Sequence, residues 1–274
     1  LMSNVLDGSL YKKQDKQFEK INDLSKHFAG VYCGTTILRS SIFEIVSNYA
    51  RKNEVELEIL RYPFMDEELW AFTFVKKGRL FVCVNSQLIL CKQIFAVAHE
   101  LYHIYCYVED INQSTITGGS LLNSQIGDEA AVTQEDLEAN AFAGLLLMTD
   151  KEMREQTDIF GIAGNDITVD NILTLMDLFA LPYKATVLRL FEGRIISEST
   201  AKELLANSVE YVSERIAVTG KARQWQVDSS DQVYWGSLYD NLEFNSENEL
   251  LTDSREAADK EYLKEIEKGF REER

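Results

Sequence analysis

Only three histidines occur in this 274-residue chain, and two of them, His99 and His103, close the run His99-Glu100-Leu101-Tyr102-His103. On a helix of 3.6 residues per turn, side chains at i and i+4 lie nearly one above the other, so two imidazoles at this spacing can hold one metal ion from the same face. Glu100 points about a quarter-turn away. From there its carboxylate can reach a water activated by the metal without being a ligand, which is the general-base position of a zinc hydrolase. An amphipathic helix with two histidines at helical spacing by coincidence is the competing reading, and the surroundings weigh against it. Residues 88–107 carry apolar Ile94, Val97, Ala98, Leu101, Ile104 and Tyr105, lack Pro and Gly, and read as a largely buried helix. Two imidazoles on one buried face need a common partner, and a metal supplies it.

A catalytic zinc takes a third protein ligand and keeps its fourth position open. The remaining histidine, His27, lies in a polar stretch far upstream, so a carboxylate is the expected donor. Residues 134–148 read as an apolar helix started by Thr133 with Asp136 three residues on. Glu138 shares a face with Ala141, Phe142 and Leu145, where a carboxylate has to be neutralised, hydrogen-bonded or bound to a cation. Glu135 and Asp136 suit a solvated first turn, which the helix dipole favours. Glu138 is therefore the expected third ligand and Glu135 the fallback, against the alternative that Glu138 reaches water from the edge of the apolar stripe.

The run from Lys92 to His103, preceded by Val82-Cys83-Val84-Asn85 and followed by Glu138-Ala139-Asn140-Ala141-Phe142-Ala143, resembles the ImmA/IrrE family of metallo-endopeptidases. A further stretch, Ala180-Leu181-Pro182-Tyr183-Lys184-Ala185-Thr186-Val187-Leu188-Arg189-Leu190, is similar to the family's helix after the active-site pair. The likeness covers roughly residues 40–196. It implies one catalytic Zn2+ held by His99, His103 and Glu138, with Glu100 as the base, in a zincin-like metallopeptidase core. Two positions depart from the family pattern: Tyr102 stands where Gly is usual, and Thr149 where Pro is usual.

The resemblance further implies a cytoplasmic regulator, often encoded in mobile elements or stress operons, that acts on a helix-turn-helix, DNA-binding repressor. The expected function is thus hydrolysis of a peptide bond in one specific protein. The alternative is a zinc-containing regulatory or toxin–antitoxin protein that binds a repressor without cleaving it, and the retained Glu100 speaks against that. Residues 1–20 are polar and lack the apolar core of a signal peptide, and no apolar run approaches the length of a membrane span. A net charge of −17, from 45 acidic and 28 basic residues, argues against a nucleic-acid surface of its own and for basic or mixed protein partners, with plain solubility as the alternative. Cys33, Cys83, Cys91 and Cys106 form no paired motif and read as reduced packing residues, although Cys106, seven residues after His99, could approach the site.

The elements that must position this chemistry read as an α+β fold, mostly helical with a small three-stranded antiparallel sheet. Helices are expected at 14–27 and 40–51, and strands at 55–61, 69–75 and 79–84, the last two joined at Lys76-Lys77-Gly78. The metal-bearing helices are separated by a polar segment, residues 109–133, that reads as a mobile flap, with plain disorder as the alternative. Helices at 168–179 and 183–192 complete the core, divided by Pro182. Three parts are expected: an N-terminal helical segment (1–39), the metallopeptidase core (40–196) and a helical, acidic C-terminal extension (197–274). The extension carries Trp225, Tyr234, Trp235, Tyr239 and Phe244, which need a surface to cover: the core, a partner or the groove.

Overall fold

Helical periodicity dominates the chain, and the structure follows it in a computed structural model that describes residues 4–64, 66, 68–109, 120–123, 133–162, 164–229 and 233–272. In chain order the elements are α1 (Asn4–Asp7), α2 (Leu10–Lys13), α3 (Asp15–Tyr32), α4 (Ile42–Lys52), β1 (Leu57–Tyr62), β2 (Leu69–Lys76), β3 (Arg79–Asn85) and α5 (Leu90–Val108). There follow β4 (Ser120–Asn123), α6 (Gln134–Leu147), α7 (Asp150–Ile159), α8 (Val169–Phe179), α9 (Tyr183–Glu192), α10 (Glu198–Leu205), α11 (Val209–Thr219), α12 (Leu238–Glu247) and α13 (Asp253–Glu272). The fold is α+β, as expected. Apart from its ends and β4, the expected flap at 109–133 lies outside the described residues. Among the described residues no helix is long and apolar enough to cross a membrane.

The sheet corrects the sequence reading. Lys77 and Gly78 both take positive φ, 54° and 80°, as the central pair of a two-residue primed turn does, and β2 and β3 pair antiparallel across it. β1 instead runs parallel to β3, with Ile59 opposite Val82, and β4 joins β2 antiparallel. The order β1-β3-β2-β4 makes the sheet mixed, not antiparallel throughout. Buried Asn85 accounts for the crossover. Its Oδ1 accepts from the backbone N–H of Phe64 (3.1 Å) and of Gln87 (3.0 Å), and its Nδ2 donates to the carbonyls of Asp66 (3.2 Å) and Leu69 (3.0 Å). The connector between β1 and β2 is thereby tied across the end of β3, which leaves β3 between them. Alternation along a strand reports its buried face and is silent on its neighbour, and consecutive strands are neighbours only about two-thirds of the time.

The core is built around α5. Ile94, Val97, Ala98, Leu101 and Ile104 are fully buried in one apolar cluster with Leu80, Val82 and Val84 of β3 and with Ile42, Ile45, Val46 and Tyr49, the apolar face of α4. On the other side α6 packs against α3, where Phe28 meets Phe142 edge-on at 5.7 Å. The same cluster takes in Leu6 and Leu10 from the N-terminal segment and Leu204, Leu205, Val212 and Ile216 from α10 and α11. Trp225 also belongs to it, its indole N–H donating to the Asp177 carbonyl at 2.9 Å.

Beyond Trp225 the chain runs along the outer edge of the sheet. Leu90 N–H donates to the Val227 carbonyl and Ser229 N–H to that of Ser86, while Arg61 and Tyr234 exchange both backbone hydrogen bonds in an antiparallel bridge. Gly236 then passes so close to Glu58, at φ 60°, that a Cβ there would collide with the carboxylate. Tyr62 stacks on Trp235 at 5.8 Å and on Phe270 of α13 at 5.7 Å. The Arg61–Tyr234 bridge and the stacking of Trp235 and Phe270 on Tyr62 thus cover the end of the outer edge of β1, a row of backbone groups that otherwise invites pairing with another chain, while the Tyr234, Tyr239 and Phe244 rings stay exposed.

Candidate metal centre

The first turn of α6 brings the site together. Thr133 and Asp136 form a capping box: the Thr133 Oγ1 accepts from Asp136 N–H at 3.1 Å, and Asp136 Oδ2 accepts from the Thr133 N–H and hydroxyl at 3.0 and 2.7 Å. The cap uses one carboxylate oxygen only. The other, Oδ1, faces α5, 3.5 Å from His103 Nε2 and 3.9 Å from His99 Nε2. The two Nε2 atoms are 3.1 Å apart, and His99, His103 and Asp136 form a group able to hold a metal ion.

The donor set fits a cation. His99 Nδ1–H donates to Asn140 Oδ1 at 3.0 Å and His103 Nδ1–H to Glu135 Oε1 at 2.6 Å. With both Nδ1 atoms protonated toward acceptors, each neutral ring presents an Nε2 lone pair to the same point, and Asp136 adds a third electron-rich atom. Three such donors, two of them buried and the Asp136 carboxylate half-buried, converging without a cation would repel one another. Their separations bracket the edge of about 3.3 Å that tetrahedral bonds of about 2.0–2.1 Å require. The protonation pattern carries the same demand for positive charge. Burial works against a charged His103, yet its hydrogen bonds to Asp136 and Glu135 outweigh that and raise it to about 9; burial and the His103 charge hold His99 well below its ordinary value. Burial likewise opposes the Asp136 charge, but the bonds to His103 and Thr133 keep this carboxyl low.

Glu100 is fully buried beside the pair. Its Oε2 accepts from the Thr73 hydroxyl of β2 at 2.6 Å, and its Oε1 has no hydrogen-bond partner among the described residues. Burial pushes the carboxyl up to about 7, with Asp136 adding to the rise and His103 and Thr73 opposing it. A carboxyl near neutrality with one open oxygen is equipped to take a proton and return it.

The structure brings His99, Glu100 and His103 together, and it does not bring Glu138 to them. The Glu138 carboxylate accepts from Tyr102 Oη (2.7 Å), Gln17 Nε2 (2.9 Å) and Gln134 Nε2 (2.9 Å), so three hydrogen bonds answer the charge on that apolar face. Helix phase is the cause. Asp136 and Asn140, at i and i+4, face the histidine pair, whereas Glu135 and Glu138 share the neighbouring face. Glu135, the fallback ligand, orients His103 from the far side of its ring. Tyr102 is buried against Phe142, its hydroxyl committed to Glu138. Thr149 caps α7, accepting from Glu152 N–H. Cys106 is buried, its thiol pushed up to about 12 by burial, and stands outside the metal-binding group, as does exposed His27. Sequence reasoning passed over Asp136, Asn140 and Thr73. The capping signal did mark Asp136 but assigned the whole carboxylate to the helix end.

Comparison with known proteins agrees with this geometry. The family described as Peptidase_M78, IrrE N-terminal-like domain, matches residues 53–191, which takes in β1 to α9 and every residue of the site. No curated protein matches the chain. With about half its length aligned to that one description, and with both histidines, Glu100 and Asp136 inside the match, the chain belongs to the IrrE N-terminal-like peptidase family.

Proposed function

We propose that the protein is a zinc-dependent metallo-endopeptidase of regulatory type, holding Zn2+ with His99, His103 and Asp136 and hydrolysing a peptide bond in a specific intracellular protein, a helix-turn-helix repressor. The observation that carries the reading is the open Oε1 of buried Glu100 beside two converging imidazole nitrogens. A protein that only binds gains nothing from a buried carboxylate oxygen without a partner, which is costly to keep.

When bound, the cation supplies Lewis acidity, polarising a peptide carbonyl and lowering the pKa of water. Glu100 Oε1 takes a proton from the attacking water and returns it to the leaving amine nitrogen. Thr73 holds Oε2, so that the open oxygen alone turns to the reaction. Asn140 and Glu135 fix the two rings, each through Nδ1, and keep both Nε2 atoms aimed at one point.

The test is co-expression with helix-turn-helix repressors encoded beside the gene, followed by mass analysis of the fragments. Cleavage by the wild type, lost in Glu100→Gln with zinc retained, supports the reading. Equal cleavage by both proteins contradicts it.

A further inference from the structure

A cavity of about 450 Å³ lies between α2, α5, α6, α9 and α11, lined by apolar Leu10, Phe95, Ala141, Met176, Leu188 and Ile216. That volume is in the range of small-molecule sites, about 300–1,000 Å³. None of His99, Glu100, His103 and Asp136 lines it. Asn140 lines it and hydrogen-bonds His99 at Nδ1, the nitrogen turned away from the metal-binding point. The cavity is therefore separate from the place where a peptide would be cut.

Its charge runs against that of the chain. In a protein of net charge −17, half-buried Lys92 and exposed Lys13 and Lys184 border this space, its one lining carboxylate, Glu192, is paired with Arg189 at 2.8 Å, and among the described residues no ion pair joins any of the three lysines to a carboxylate. The Lys92 ammonium sits 5.1 Å above the ring of Trp70, another lining residue. Lys92 and Lys184 also occupy the first turns of α5 and α9, neither of which has an acidic residue there. A cation in a first turn opposes the helix dipole, so the arrangement carries an unmet preference for negative charge next to apolar walls.

We infer that this cavity binds an amphipathic anion: an aliphatic body of about ten carbons in the apolar space, with a carboxylate or phosphate held by Lys92 and Lys184. The site stands independently of the peptidase reading, and its test needs no substrate. Decanoate, decyl phosphate and decanol are titrated into the full-length protein by calorimetry. The expected result is one saturable site per chain for each anion, with decanol at least about tenfold weaker. Lys92→Gln combined with Lys184→Gln should weaken decanoate by at least about tenfold, leave decanol unchanged and melt as cooperatively as the wild type. Leu188→Trp, which fills the cavity, should abolish binding of all three. Equal affinity for decanoate and decanol, wild-type decanoate binding by the double lysine variant, or no saturable binding would each overturn the inference.

Discussion

Thr73 of β2 and Glu100 of α5, 27 positions apart, meet through a 2.6 Å hydrogen bond from the threonine hydroxyl to the glutamate Oε2. The bond joins the sheet to the helix that carries both histidines and leaves the carboxylate one oxygen without a partner among the described residues.

Thr73→Val keeps the shape and removes the donor. The expected outcome is a fall in kcat of about ten- to a hundredfold with KM little changed, as misplacement of a reacting group produces. Zinc content should not change, and Thr73→Ser should restore most of the rate. A Thr73→Val protein with wild-type kcat would show that this hydroxyl does not position the base.

Asp136 and Glu138 can be told apart by metal affinity. Asp136→Ala should weaken zinc binding by more than about a hundredfold, beyond the loss typical of removing a ligand's hydrogen-bond partner. Glu138→Gln should keep one zinc per chain. Chelator competition checks both, and the opposite ranking would return the third-ligand role to Glu138.

Much of this site was legible because helical spacing is local information. The i, i+4 histidines, the adjacent glutamate and the Thr133 cap follow from the sequence alone and meet in the structure. What stayed hidden depends on the phase between α5 and α6. A carboxylate on an apolar face needs a partner, yet sequence cannot say whether that partner is a cation or, as for Glu138, a tyrosine and two glutamines. The parallel pairing of β1 was hidden for a similar reason, since it rests on Asn85 tying down a connector more than fifteen residues upstream.

Asp150 gives the fold an acid-sensitive contact. Burial opposes its charge, but Arg189 at 2.9 Å, Asn22 and Lys26 outweigh that and lower its pKa. A carboxylate with a depressed folded pKa adds stability above the unfolded value of about 3.9, and that contribution is lost as pH falls through the folded value. Asp150→Asn should therefore melt below the wild type at pH 7, and the gap should close below about pH 4. A gap independent of pH would rule out ionisation as its source.

Removal of residues 221–274 uncovers the edge of β1 and takes away the Trp225 indole that fills the core. The truncated chain should melt at lower temperature and associate in a concentration-dependent way, as an exposed strand edge does. A soluble, monomeric truncation with a wild-type melting point would mean that the extension serves something other than the fold.

The most direct measurement is anomalous scattering at the zinc edge from crystals of the zinc-loaded protein. The expected result is one peak within about 2.0–2.2 Å of His99 Nε2, His103 Nε2 and an Asp136 oxygen, with Glu100 outside bonding distance. A peak bonded by Glu138 in place of Asp136, or no peak at the histidine pair, would contradict the assignment of this centre.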